Sequence, residues 1–362
     1  MKLELDSRRL LAFPFQMIVH DGSVILKRGA LETRIEGARA VEVLQSLVDR
    51  IGTNGIPRKD LTEGFAAVDR PDIDALIDQL LERRLLYLAS EKLAAVPESE
   101  SPLDVFYWNI DQTASEVTTR LSERRIIVLG VNEISRQMLL TLEAAGCASV
   151  GIVDYPLLRN LTFFDGDGSL NRDRWSSRDP LSFDDWSSDL DPGSLDCLVA
   201  TSDFGGLHWM RQWNEVCVPN RIHFLPVVLQ NLIGYVGPIV VPGETACFEC
   251  LRARQNAHMV DAGLRRAPEL VAFEGQFTAG FHPAMTAALG SIAAMELTKL
   301  YGGMKVPTRR VGMLIEVNLL VPSLTARKVL KIPRCPICSP GRNQPAATAS
   351  MSTFLPGNRT DQ

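Results

Sequence analysis

At 362 residues, 46% hydrophobic and 22% charged, the chain has enough apolar content for two domains or one large elaborated one, and only its ends read as disordered. A net charge of −5 and a pI near 5.7 exclude a general nucleic-acid binder, which needs a concentrated basic surface. The N-terminus, MKLELDSRRLLAFPF, carries charges where an export signal keeps an apolar core, and the most apolar long stretch, 281–300, contains His282, Glu296 and Lys299. Neither an export signal nor a membrane span is expected, and the chain reads as cytoplasmic.

Three short extended segments come first, at 15–20, 24–28 and 31–35, with Asp21-Gly22 as a tight turn between the first two and Gly29 marking the next connection. Helical periodicity follows over 38–51, more weakly over 59–68, and most clearly over 69–85, where Ile73, Leu76, Ile77, Leu80 and Leu81 form an apolar stripe behind Asp69 or Asp72 as cap. A returning strand at 85–89 completes a small winged-helix-like α+β domain over 1–95. The polar, proline-flanked stretch beginning at Val96 places a linker at 96–110.

A helix at 111–122 leads into the segment RRIIVLGVNEISRQMLLTLEAAGCASVGIVD. Its β-branched run at 126–129, the break at Gly130, the helical spacing of Ile134, Met138, Leu139 and Leu142, and the second run ending in Asp154 make one βαβ unit. The excursion at 160–191 has no sustained period. Beyond it, strands at 195–200, 223–229, 235–241, 311–318 and 325–331 alternate with helices at 206–218 and 282–301. This predicts a Rossmann-like, doubly wound α/β sheet, mostly parallel, over 111–338, with a loose tail at 339–362.

Four of the seven cysteines form two Cys-x-x-Cys pairs, Cys247/Cys250 and Cys335/Cys338. In a cytosolic protein such pairs favour a closed tetrahedral Zn2+ site, structural because no coordination position is left for a substrate. Cys147, Cys197 and Cys217 lie in apolar runs and read as core residues; His208, His223 and His282 read as buried or helix-end residues. In the first turn, Gly130-Val-Asn132-Glu133-Ile-Ser135 keeps one glycine of a dinucleotide-binding pattern and sets a carboxylate where phosphate would approach. Asp154 either receives ribose hydroxyls or caps the next turn, and Asp203, after the third strand, is either a ligand-facing acid or part of an ordinary turn. In the N-terminal domain, the edge strand Leu31, Glu32, Thr33, Arg34 and Ile35, walled by Ile73, Leu76, Ile77 and Leu80, is a place where an extended peptide adds itself as a further strand. The alternative, a DNA-reading winged helix, meets a helix carrying Asp69, Asp72, Asp74 and Asp78 against Arg70 alone.

Together these motifs resemble a known group. Ile126 to Gly146, Gly151 to Asp154, Ser202-Asp203, Thr245-Ala-Cys-Phe-Glu-Cys250, His282-Pro283, Glu296-Leu-Thr-Lys299 and Arg334-Cys-Pro-Ile-Cys338 look like the ThiF-like, ubiquitin-activating-enzyme-like adenylating fold. Residues 13–88 are similar to the PqqD-like element that binds leader peptides. The two-part layout resembles the leader-binding partner proteins of azoline-forming cyclodehydratases and the microcin-type adenylating enzymes. Active adenylating members carry Gly-x-Gly-Gly-x-Gly, a second acid after the strand-ending Asp, and an Asn-x-x-Arg segment. Here the matching positions are Gly130, Asn132, Glu133 and Ser135, then Asp154-Tyr-Pro, then Asn160-Leu-Thr-Phe163. The resemblance therefore implies a chain without catalytic residues or ATP of its own, which captures a precursor's leader peptide for a separate YcaO-type cyclodehydratase. It also implies a homodimer, for which the small residues of the helix at 284–300 offer a surface. The other implied activity is ATP-dependent adenylation of a precursor peptide.

Overall fold

A computed structural model describes residues 9–89, 101–110, 112–147, 149–188, 192–257, 280–304 and 311–339. Positions 96–100 of the expected linker, Asp111, and the tail from 340 onward lie outside the described residues. The chain divides into two compact units, Met1–Ala114 and Ser115–Gln362.

The first unit holds β1 (Arg9–Ala12), β2 (Gln16–His20), β3 (Ser23–Arg28), β4 (Leu31–Glu36), α1 (Ala40–Ile51), β5 (Ile56–Pro57), α2 (Arg58–Glu63), α3 (Arg70–Glu82), β6 (Leu86–Leu88) and α4 (Pro102–Asn109). Strands β2, β3 and β4 form an antiparallel meander; the positive φ of Asp21 (45°) and Gly22 (73°) supplies the turn twist that joins β2 to β3. The returning strand β6 does not join this meander. It pairs with β1, in a second small sheet of order β5-β1-β6. The four-residue β1 carries too little pattern for the sequence to announce it. The core collects Leu10, Val24, Leu26, Leu44, Leu47, Ile51, Leu61, Ile73, Ile77 and Leu80 from both sheets and three helices. Within the stretch read as linker, 102–109 is helical and packed: Trp108 lies tilted against Phe13 with ring centroids 4.1 Å apart, its indole N–H donates to Arg84 O at 3.1 Å, and a Cβ at Gly29 would meet Val105 at 2.7 Å. The run of proline and acids before it hid this helix, whose capping box joins Ser101 and Asp104.

The second unit holds α5 (Ala114–Ser122), β7 (Ile126–Leu129), α6 (Glu133–Ala144), β8 (Gly151–Asp154), β9 (Leu181–Ser182), α7 (Phe183–Ser188), β10 (Cys197–Ser202), α8 (Leu207–Cys217), β11 (His223–Gln230), β12 (Ile233–Val236), α9 (Phe248–Ala257), α10 (Pro283–Tyr301), β13 (Met313–Asn318) and β14 (Ser323–Lys328). They build a sheet of order β14-β13-β12-β11-β10-β7-β8-β9. It is parallel from β9 to β11 and antiparallel from β11 to β14. The reversal begins at a two-residue hairpin in which Asn231 and Leu232 both take positive φ, 52° and 63°. A leucine there gives no sequence signal, so alongside four parallel pairings, as expected, the sheet carries three antiparallel ones. β7 and β10 lie side by side where the winding reverses, and the right-handed rule for parallel crossovers puts α6 and α8 on opposite faces. No described helix is long and apolar enough to cross a membrane. Of the small residues of α10, Gly290, Ala293 and Ala294 are buried within the unit, Gly290 so close to α6 that a Cβ would meet Ile134 O at 2.7 Å, while Ala284 is exposed and Ala287, Ala288 and Ser291 are half-buried.

Candidate functional site

In doubly wound sheets ligands bind at the carboxyl ends of the strands where the winding reverses. Here that crevice is closed by the chain itself. Gly130 leaves β7 with φ 101°, and a Cβ there would meet Thr201 O, Leu158 Cβ and Asn132 Nδ2, each at 2.9 Å. Asn132 is fully buried and caps α6: its Oδ1 accepts from the Ser135 N–H (3.1 Å), while its own N–H donates to Ser135 Oγ (3.0 Å). The other end of its amide fills the turn, donating to Thr201 O (2.9 Å), Thr201 Oγ1 (3.0 Å) and Leu158 O (3.3 Å).

A helix N-terminus following such a turn is an anion site, since backbone N–H groups and the helix dipole both favour negative charge. In this structure the anion is Asp203. Its Oδ2 accepts from the Glu133 N–H at 3.0 Å and from Asn160 Nδ2 at 2.8 Å, and its Oδ1 has no partner although the residue is only 2% exposed. Burial pushes its pKa up to about 6 against the pull of Asn160 and the Glu133 N–H, with the nearby Glu133 carboxylate pushing the same way as burial. Asp154 is equally engaged: Arg159 grips both its oxygens, Nε to Oδ1 at 2.6 Å and Nη2 to Oδ2 at 2.7 Å, and lies over the Phe164 ring at 4.5 Å. Glu133 pairs with Arg136 at 2.5 Å. The carboxylate expected at this turn thus has a cation one helical turn on, a pairing whose signal in the sequence is the i, i+3 spacing.

The second constellation is the cysteine quartet. Cys247 stands immediately before α9 and Cys250 in its first turn, while Cys335 and Cys338 lie in a turn closed by Cys335 N–H to Ile332 O (3.1 Å) and Ser339 N–H to Cys335 O (3.2 Å). All four sulfurs lie within 4.8 Å of one another, with Cys247–Cys335 at 3.6 Å and Cys250–Cys338 at 3.5 Å. Hydrogen bonding from Cys247 pulls Cys250 below the ordinary thiol range, and the same contact pushes Cys247 above it. Four converging soft donors, three of them buried, fit a tetrahedral thiolate-binding ion and leave it no vacant position. Arg254 ties the two knuckles together by donating to Leu330 O (2.8 Å) and Lys331 O (3.2 Å). The remaining cysteines are enclosed: burial raises Cys147 and Cys217 and pushes Cys197 up to about 12. None is an activated nucleophile.

In the first unit, β4 pairs with β3 alone, so its other edge is unpaired among the described residues. Leu31, Thr33 and Ile35 are half-buried toward the core, and Glu32 and Arg34 point outward, Glu32 bonded to Lys27 at 2.6 Å. Of the expected wall, Ile73, Ile77 and Leu80 are consumed by the core, leaving Leu76 as the partly exposed apolar residue of that set. Two acids of α3 are paired, Arg58 holding Asp74 (3.2 Å) and Asp78 (2.5 Å), and Arg39 holds Asp69 just before the helix (3.1 Å).

No protein-family model matches the sequence, and no curated protein matches it. Solved structures do share the fold. The heterocyclase TruD aligns with a TM-score of 0.59 at 19% identity over 92% of this chain and 43% of its own. A heterocyclase in complex with substrate and cofactor aligns at 0.57 and 18%, over 92% of this chain and 40% of its own. The E. coli protein MccB, solved with AMPCPP and MccA, aligns at 0.62 and 14%, over 91% of this chain and 99% of its own. The chain thus spans about two-fifths of the heterocyclases and nearly all of MccB. At these identities the likeness is one of fold.

Proposed function

We propose that this chain is a ThiF-like, zinc-stapled scaffold that captures the leader of a ribosomally made precursor peptide and presents it to a separate YcaO-type cyclodehydratase. The observation that carries the reading is the self-filled crevice. Where a nucleotide's phosphates would meet the α6 N-terminus, Asp203 already accepts from the Glu133 N–H, Asn132 fills the turn, and Asp154 is held by Arg159. Binding a triphosphate there would strip these bonds and bring phosphate charge against a buried carboxylate. The heterocyclase neighbours support a role in peptide modification. Zn2+ held by Cys247, Cys250, Cys335 and Cys338 supplies a crosslink between distant segments and no chemistry of its own.

The leader would add to β4 along Leu31–Ile35, its backbone completing the unpaired edge and its apolar side chains meeting Leu31, Ile35 and Leu76. Fluorescence polarisation against the short peptides encoded beside this chain tests this. Leu31→Pro is expected to weaken binding at least about tenfold while the far-UV spectrum holds; unchanged affinity rejects the edge. Adenylation of a peptide is the second reading, favoured by the full-length match to MccB. Calorimetry decides between them: magnesium-dependent ATP binding by the wild-type chain overturns the scaffold reading.

A further inference from the structure

The outer edge of β14 is the free end of the large sheet: β14 pairs with β13 alone, and no other described strand covers it. Edge strands in stable proteins are short, charged or covered. This one is charged but also apolar. Leu320 (64% exposed), Val321 (69%), Leu324 (62%) and Leu330 (56%) lie on or beside the β13–β14 hairpin, so several of the most exposed large apolar side chains of the described residues fall within one short stretch. Between 317 and 339 the sequence has Arg327, Lys328, Lys331 and Arg334 and no acid; the nearest acid, Glu316, sits on β13 opposite Thr325, one strand in from the edge. Arg327, Lys328 and Arg334 are exposed and make no salt bridge among the described residues. Edge cations alone would serve to discourage aggregation; they do not account for four exposed aliphatic groups beside them.

We infer that this edge docks an extended segment of another protein in which acidic and apolar side chains alternate. The register gives the pattern. Leu324, Ala326 and Lys328 share one face of β14, opposite Val317, Ile315 and Met313 of β13; Ser323, Thr325 and Arg327 share the other. A strand laid along the outer edge therefore meets Leu324 and Ala326 on one face, which ends at Lys328, and Ser323, Thr325 and Arg327 on the other, where Glu316 of β13 lies one strand further in. Backbone pairing supplies affinity and charge complementarity supplies choice of partner. This surface belongs to the second unit, and the inference stands whether or not the first unit binds a leader.

The test uses the full chain and a fluorescein-labelled octapeptide alternating glutamate and valine, with the lysine–valine octapeptide as control. Saturable binding of the glutamate peptide alone is expected. It should fall with added salt, weaken at least about tenfold in Arg327→Glu/Lys328→Glu, and weaken in Leu324→Asp, with metal content and circular dichroism unchanged to show that both variants fold. Transfer of preference to the lysine peptide in the charge-reversed chain is further support. Equal binding of both peptides, no binding, or indifference to the substitutions overturns it. So does concentration-dependent self-association abolished by Leu324→Asp, which would make a second copy the occupant. Binding to phosphatidylserine vesicles in place of peptide would make the hairpin a membrane contact and equally overturns it.

Discussion

The thiol cluster and the crevice at the sheet's winding reversal belong to the same unit, and each draws polar side chains from distant parts of the chain. They resolve the cost of doing so in opposite ways. In the crevice nearly every group has a protein partner: Asn132 donates to Thr201 and Leu158, Arg159 embraces Asp154, and Asp203 caps α6. In the cluster the sulfurs have mainly one another, at 3.5 to 3.9 Å, and like groups at that spacing cannot all ionise without a cation among them. A site that satisfies itself has little use for a ligand, whereas four soft donors facing each other are arranged to accept one.

The largest expected effect therefore lies at the cluster. Cys335→Ser, or chelation of the wild-type chain, should abolish stoichiometric zinc and lower the melting temperature of the second unit by on the order of 10 °C, a loss of several kcal/mol at roughly 2–4 °C per kcal/mol. Full metal content in the variant, measured by atomic absorption, would remove the contrast between the two sites. Next comes Asn132→Ala. It deletes a cap and three donated bonds of a fully buried amide, and should cost about 2–3 kcal/mol in chemical denaturation with no change in metal content. A cost under about 0.5 kcal/mol would mean the turn is not held by this side chain.

Much of this was legible in advance, and the reasons for the rest are local. The βαβ unit, the three-stranded meander and the cysteine quartet follow from periodicity, turn residues and spacing. The β11–β12 hairpin did not show because Leu232 occupies a left-handed position usually given to glycine. Helix α4 was hidden by its proline and acids, although Trp108 binds it to Phe13. At the crevice, the sequence placed Gly130, Asn132, Glu133, Asp154 and Asp203 near one another but could not say who partners whom. It singled out Glu133 as the obstructing acid, yet Glu133 is paired with Arg136 and Asp203 is the acid that occupies the helix end. The same limit applied to α3, whose stripe was visible while the direction it faces was not: Ile73, Ile77 and Leu80 point into the core.

Asp203 gives the crevice a pH signature opposite in sign to that of a metal held by thiolates, which would bind less tightly as pH falls. Its pKa is about 6 in the folded chain against an ordinary 3.8, so the folded state holds the proton more tightly than the unfolded one. Stability present at low pH is then lost as pH rises from about 4 to about 6, by on the order of 2–3 kcal/mol. Asp203→Asn keeps an oxygen for the Glu133 N–H and Asn160 and carries no charge, so its urea midpoint should stay flatter across that window and exceed wild type above it. Coincident pH profiles for the two chains would show that the carboxylate is not buried against the helix as described.

The smallest expected effect is also the one that best separates the two accounts of why the crevice is closed. Glu133→Gly restores a glycine of the adenylating pattern and removes only a partly exposed i, i+3 ion pair with Arg136, so together with the helix propensity of glycine it should cost about 1 kcal/mol. If Glu133 were the obstacle, this variant would gain magnesium-dependent ATP binding, since Arg136 would be released toward the phosphates. With Asp203 bonded to the backbone N–H at position 133, which glycine retains, and Asn132 still filling the turn, no heat of ATP binding should appear. Calorimetric binding by this single variant would transfer the blockade from the buried partners back to the surface carboxylate.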